Sequence, residues 1–391
     1  MQLLKNISNR YWYLYVLMCA FVILKLYRGV NGVESSGGGL WNVIQVFFII
    51  AGFAFFFSKY VKRNSAINLL LLFSVWVLIV ALPSMISSMK SDVIWFYYFS
   101  ILCAPSVLMV FYCVGQKYDI HDFSLIIKTT YYALIILFYY YMTDYRSNIG
   151  EGFFAFADIY YPLTLLPLVL LLTPPRRSYI PFIFALVGVI VSGKRGGLVI
   201  VSVVAFWYFI FREKRNFGQS LLLISLLIVL IVISSSLIGS LDALYGTRTL
   251  QRMEEISEDG GSGRMDKWNT VLYVMSRTGA VGLMFGHGFN SSFYLLSGRV
   301  HNDFLEVLYN FGLVAVLLYL FFYINLIKQN IKQYRVHYQY SKYLTCSISI
   351  SLILSTVSYF IVEPTYIMSS MFVTGLLLGD SSKVMNNHYY G

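Results

Sequence analysis

What most constrains this chain is a succession of long apolar stretches, divided by short polar turns, that runs over most of its length. An apolar stretch of about 17–25 residues is the length an α-helix needs to cross the hydrocarbon core of a bilayer. The spacing predicts about twelve such spans, near 11–28, 40–58, 66–82, 93–114, 124–142, 158–173, 179–193, 197–211, 219–239, 303–327, 343–362 and 366–380. With 58% of 391 residues hydrophobic and only 12% charged, the composition excludes a soluble domain of this size. The first stretch begins near Tyr11, lacks a small-residue cleavage site and is followed by more spans, so it reads as a helix rather than a cleaved signal peptide. The expected fold is an all-α polytopic integral membrane protein, with residues 1–391 forming a single transmembrane domain.

A net charge of +11 raises the possibility of a nucleic-acid partner, but the cations sit where membrane topology wants them. Lys59, Lys62, Arg63, Lys117, Arg176, Arg177, Arg212, Lys214, Arg215, Lys328, Lys332, Arg335 and Lys342 fall in loops on one side, together with both termini. The positive-inside rule makes that side cytoplasmic, and no nucleic acid is expected. The four cysteines lie within apolar spans without metal-ligand spacing. No phosphate loop of the GxxxxGK[ST] type occurs, and no cofactor is expected.

The opposite side carries one long loop, 240–302, between the ninth and tenth spans. It contains SGRMDKW (Ser262–Trp268) and GHGFNSSF (Gly286–Phe293), and leads into HNDFLEVLYNFG (His301–Gly312). Asp266–Met275 is expected to form a short amphipathic helix at the interface, with Gly260–Gly263 as its hinge. His301 stands directly before the tenth span, where an imidazole can serve as a general base or simply hold a structural hydrogen bond. Nearby arginines would favour its neutral form if they are close in space. Arg264 can act as a phosphate clamp, because its planar fork suits bidentate binding, or can pair with Asp266 or Glu258. Lys194 and Arg195, in a tight turn before two glycines, either face a cavity or snorkel to headgroups. Spans six, eight and ten begin near Asp158, Gly196 and Asn302. Each presents free N–H groups and a positive dipole end on this side, a combination suited to pyrophosphate. Asp303 and Glu306 have the spacing of a capping box, and Gly312 that of a close-packing residue. His287 between two glycines reads as a turn residue, whereas Asn290 can bind sugar hydroxyls. Arg277 and Gly288 fit an arginine–ten residues–glycine spacing, and Phe153, Phe154, Tyr160 and Tyr161 offer rings on which sugars can stack.

Taken together, Ser262-Gly263-Arg264, Trp268, Gly286/Gly288, His301-Asn302 and Gly312, preceded by Lys194-Arg195-Gly196 and Asp158, resemble the O-antigen polymerase and ligase superfamily of bacterial inner membranes. The resemblance extends over most of 150–312. It implies a metal-independent glycosyltransferase with its active site facing the periplasm, acting on undecaprenyl-pyrophosphate-linked glycans. Membrane lipid and a polysaccharide chain-length regulator are the further partners expected. It also implies His301, Arg195 and Arg264 as catalytic residues, with Lys194, Asp158, Arg277, Asn290, Asn302 and Arg299 binding substrate. The length and aromatic richness favour a Wzy-type polymerase over a ligase that moves the glycan to lipid A-core. A lipid-glycan transporter is the rival from another class, and would place its polar residues and broken helices at the bilayer midplane.

Overall fold

The structure is a computed structural model describing residues 39–57, 64–87, 92–149, 159–192, 194–210, 263–335, 340–358, 360–361 and 364–390. Its helices are α1 (Gly39–Phe57), α2 (Ser65–Ser87), α3 (Asp92–Lys117), α4 (Ser124–Ile149), α5 (Tyr160–Leu172), α6 (Tyr179–Ser192), α7 (Arg195–Ile210), α8 (Arg264–Arg277), α9 (Ala280–Phe285), α10 (Ser291–Leu296), α11 (Asp303–Arg335), α12 (Ser341–Val357) and α13 (Pro364–Tyr390). No strand occurs among the described residues. Helices occupy each expected span except 11–28 and 219–239, which lie outside the described residues, as does the loop from 240 to 262. Three stretches, Ser65–Leu82, Ile120–Tyr139 and Asp303–Arg335, are long and apolar enough to cross a membrane. Shorter apolar helices lie at Val43–Ala54, Ile101–Lys117, Tyr160–Leu172, Gly196–Phe209 and Ser341–Val357.

The sequence of α5, YYPLTLLPLVLLL, is apolar nearly all round, and such a helix belongs inside a bundle. Every residue of it is buried, with α4, α6, α7, α12 and α13 packed about it. Along the neighbouring α3–α13 seam the backbones touch. A side chain on Gly375 would meet the Leu108 carbonyl at 2.8 Å, and one on Gly379 would collide with the Tyr112 carbonyl. Between apolar helices in lipid, small residues supply the close contacts that hydrophobic burial supplies in water.

One expected span is not continuous. At Gly312 the backbone of α11 takes φ 79° and ψ −178°, which divides it into an upper piece, 303–311, and a long lower helix. Gly312 therefore does more than allow packing: a side chain there would strike the backbone of Met284 and Phe285 and would sit in a left-handed conformation. The break frees carbonyls in the upper piece, and three of them find donors. His287 N–H donates to Tyr309 O at 2.8 Å and Gly288 N–H to Asn310 O at 2.9 Å. Trp76 Nε1 of α2 donates to Phe311 O at 3.0 Å. The Asn310 side chain in turn accepts from Ser292 N–H at 2.9 Å and from the Ser291 hydroxyl at 3.0 Å. The loop is thus bound into the broken helix.

Candidate active site

The site is built on the segment that leads into α11. Helix α8 starts after Gly263, which has φ 69°, and packs Val271 and Met275 against Val300 and Tyr309. From the same helix Trp268 Nε1 donates to Val300 O at 3.0 Å, and Lys267 Nζ to Arg299 O at 3.3 Å. The expected amphipathic helix therefore exists, and one of its jobs is to grip the backbone beside His301. The Arg299 guanidinium turns inward, to Asn290 Oδ1 at 2.9 Å and Glu306 Oε1 at 2.9 Å. This ion pair is enclosed, with side-chain exposures of 13% and 1%. His301 follows at φ 58°, a left-handed turn that redirects the chain into α11.

Asn302 caps that helix: its Oδ1 accepts from Leu305 N–H at 3.1 Å, and its Nδ2 donates to Thr356 O at 3.4 Å. The capping-box reading of Asp303 and Glu306 was thus one residue out of register. Glu306 serves Arg299. Asp303 is fully buried and accepts from Tyr319 across the break at 3.2 Å and from Ile361 N–H at 3.0 Å, which ties three segments together.

Around His301 several helix ends converge. Arg264 donates to Val357 O, the last residue of α12, at 3.1 Å, placing a cation on the negative end of a helix dipole. It also lies within electrostatic reach of Tyr160, the first residue of α5. A side chain on Gly196, near the start of α7, would stand 2.6 Å from the Tyr160 hydroxyl and 3.2 Å from Val357. The N-terminal ends of α5, α7 and α11 therefore gather about the C-terminal end of α12, a convergence that their common side in the sequence reading did not by itself require. Burial, followed by the charges of Arg264, Lys267, Lys194 and Arg299, pushes His301 down from 6.5 to about 4. At neutral pH the ring is uncharged and able to accept a proton, in surroundings that attract anions.

Of the residues expected to form a site, His301, Arg264 and Lys194 come together, with Asn302 beside them. Lys267 joins them, and the sequence reading did not single it out for this. Its signal was its place one helical turn after Arg264, on the same face. Asn290 and Arg299 meet each other and Glu306 instead. Arg277 closes the far end of α8, about 20 Å along the helix from Arg264, with its guanidinium over the Tyr273 ring at 4.3 Å. Tyr160 and Tyr161 are buried against Tyr366, with ring centroids 5.6 and 4.8 Å away, rather than offered to sugars. His287 is an exposed turn residue, 3.2 Å from the Thr278 hydroxyl. Arg195 opens α7, but its side chain lies outside the description, and Asp158, Phe153, Phe154 and Glu258 lie outside the described residues. Among the described residues no cluster of metal-binding side chains occurs.

Comparison with known proteins places this site within a recognised segment. Residues 180–320 match the family model Wzy_C, described as O-antigen ligase. The match runs from α6 through the break in α11 and takes in His301, Arg264, Lys267 and Lys194. No curated protein matches the chain. The family match is consistent with the O-antigen polymerase/ligase superfamily, an enzymatic family of membrane proteins acting on lipid-linked glycans.

Proposed function

We propose that this protein polymerises undecaprenyl-pyrophosphate-linked oligosaccharide repeat units into O-antigen or a related surface polysaccharide, at the periplasmic face of the bacterial inner membrane. The observation that carries the reading is a neutral imidazole set among Arg264, Lys267 and Lys194 where helix ends meet. In this reading the donor's pyrophosphate docks on those cations, on Arg195 and on the N–H groups of the helix ends. His301 takes the proton from a sugar hydroxyl of a second lipid-linked unit. The hydroxyl oxygen forms a bond to the donor's anomeric carbon as the bond from that carbon to the pyrophosphate breaks. The electron pair leaves with undecaprenyl pyrophosphate, whose developing charge the cations stabilise. Displacement in one step inverts the anomeric centre and moves the growing chain onto the incoming unit.

A base near 4 is a weak one, and the donor itself supplies the remedy. Two phosphates beside the ring offset the cations that depress it, so His301 becomes more basic once the substrate is bound. No nucleotide sugar and no metal is needed, because the pyrophosphate already activates the donor. A transporter is disfavoured by the closure of the α11 break: the carbonyls of Tyr309, Asn310 and Phe311 are engaged by the protein, not turned towards a central ion.

A second reading, O-antigen ligase, is favoured by the description of the matching family. Glycan banding from a strain lacking this gene separates the two. Core plus a single repeat, with the ladder restored by wild type and not by His301→Ala, is the result expected of a polymerase. Bare core with accumulating lipid-linked polymer identifies the ligase, and an unchanged ladder removes both.

A further inference from the structure

Helix α9, with the sequence AVGLMF, has no buried residue. Val281 is 75% exposed, and Leu283, Met284 and Phe285 are exposed as well. Such a surface is costly in water. Its depth can be read from the helices it touches. At one end of the α2–α11 pair, Asn64 meets Gln329 at 3.2 Å and Ser65 meets Asn325 at 3.0 Å, beside Lys328 and Lys332. A polar clamp beside two lysines has the composition of a cytoplasmic membrane edge, and depth is counted from it. From Ser65, α2 climbs about 16 Å to Trp76, and from Asn325, α11 climbs about 20 Å to Gly312. The Phe285 ring stacks on Trp76 at 5.2 Å, and the Met284 backbone lies against Gly312. A hydrocarbon core about 30 Å thick extends well past that level.

The surroundings agree with that depth. Leu72, Val75, Ile79 and Leu82 of α2, and Leu313, Leu317 and Leu320 of α11, are exposed apolar residues on the same pair of helices that α9 rests on. Apolar surface therefore continues from the spans onto the loop element. The polar backbone that follows α9 is satisfied inside the protein, through His287 and Gly288 to the broken helix, as irregular chain at membrane depth must be.

We propose that the 280–288 segment is re-entrant, dipping into the bilayer on the side opposite the Asn64–Gln329 clamp, with lipid acyl chains as the partner of α9. The inference rests on helix geometry and exposed surface, and does not require the catalytic reading. It departs from the expectation that all of 240–302 stands outside the membrane.

The test is nitroxide accessibility in liposomes of phosphatidylethanolamine and phosphatidylglycerol. The full chain, with Cys19, Cys103, Cys113 and Cys346 replaced by alanine, carries a label at Val281→Cys or Leu283→Cys. Ile79→Cys provides the lipid-facing reference and Asp266→Cys the aqueous one. Variants are kept only if they elute as a single species, and either of the two α9 positions suffices. The expected result is an oxygen-to-nickel-chelate collision ratio as high as that of Ile79→Cys. A ratio like that of Asp266→Cys places α9 in water and overturns the proposal. Low collision with both reagents overturns it too, because α9 is then covered by protein, from this chain or a second copy.

Discussion

Two arginines flank His301 and are held in opposite ways. Arg299 is enclosed and paired with a carboxylate, Glu306, at 2.9 Å, with Asn290 taking a second hydrogen bond. Arg264 is held by a carbonyl, that of Val357, and Lys267 likewise by the carbonyl of Arg299. A carboxylate cancels a guanidinium's charge, whereas a carbonyl fixes its position and leaves most of the charge in place. One region is built to be neutral and rigid, the other to be positive and fixed. Buried ion pairs hold a local structure in register at considerable desolvation cost, while preorganised cations favour an anion where it arrives or develops.

The comparison breaks most sharply if the charge-retaining side does no chemistry. His301→Asn keeps a residue that tolerates φ 58° but removes the base. It is expected to lower glycan transfer by about 10²–10⁴-fold with the fold intact. Full activity in a lipid-linked transfer assay would dismiss His301 as the base. On the neutral side, Glu306→Ala strands Arg299 in enclosed surroundings. A loss of about 3–5 kcal/mol in stability is expected, read as a lowered unfolding midpoint in detergent, and an unmoved midpoint would mean the pair is not structural. Arg264→Ala should lower transfer by about 10²-fold while leaving that midpoint nearly unchanged. A variant that loses stability instead would belong with Arg299. Asn302→Ala removes a helix cap and should cost about 1 kcal/mol, with a correspondingly small shift of the midpoint.

The smallest effect is the most diagnostic. Transfer needs the neutral imidazole, so activity is lost as pH falls through the pKa of His301. In the profile of kcat/KM, which reports the free enzyme, the acid limb should lie near 4 and not near 6.5. Arg264 is one of the charges holding that value down, so Arg264→Ala should carry the limb upward. A limb that stays in place in the variant would show that Arg264 does not act on the ring.

Much of this was legible in the sequence, and where it failed the reasons are specific. Helix positions followed from apolar runs, since a span in lipid has few alternatives. That Lys194, Arg264 and His301 share one side followed from the rule that alternate spans start on the same side, but their gathering about one point did not. The partner of Arg299 was hidden because Glu306, three residues after Asp303, imitates a capping box, and nothing local says which residue is the cap. The roles of Tyr160 and Tyr161 were misjudged because an aromatic pair at a span's end serves a belt, a sugar or a core equally well, and the packing of α13 decides among them. The break in α11 left only one trace, a glycine after nine residues of helix, which in lipid is more often a packing contact than a break. The α3–α13 seam, where Gly375 and Gly379 let the backbones touch, was not anticipated, because nothing local names the partner helix.

The closure of α11 at Gly312 also couples the shape of a span to the docking of a loop. Backbone carbonyls left without donors in hydrocarbon cost several kcal/mol each. A newly inserted 303–335 segment is therefore most stable as one unbroken helix. It can bend only as the N–H groups of His287 and Gly288 arrive to receive what the bend releases. The bend in the span and the docking of the loop therefore stabilise each other, and neither is favoured in hydrocarbon without the other.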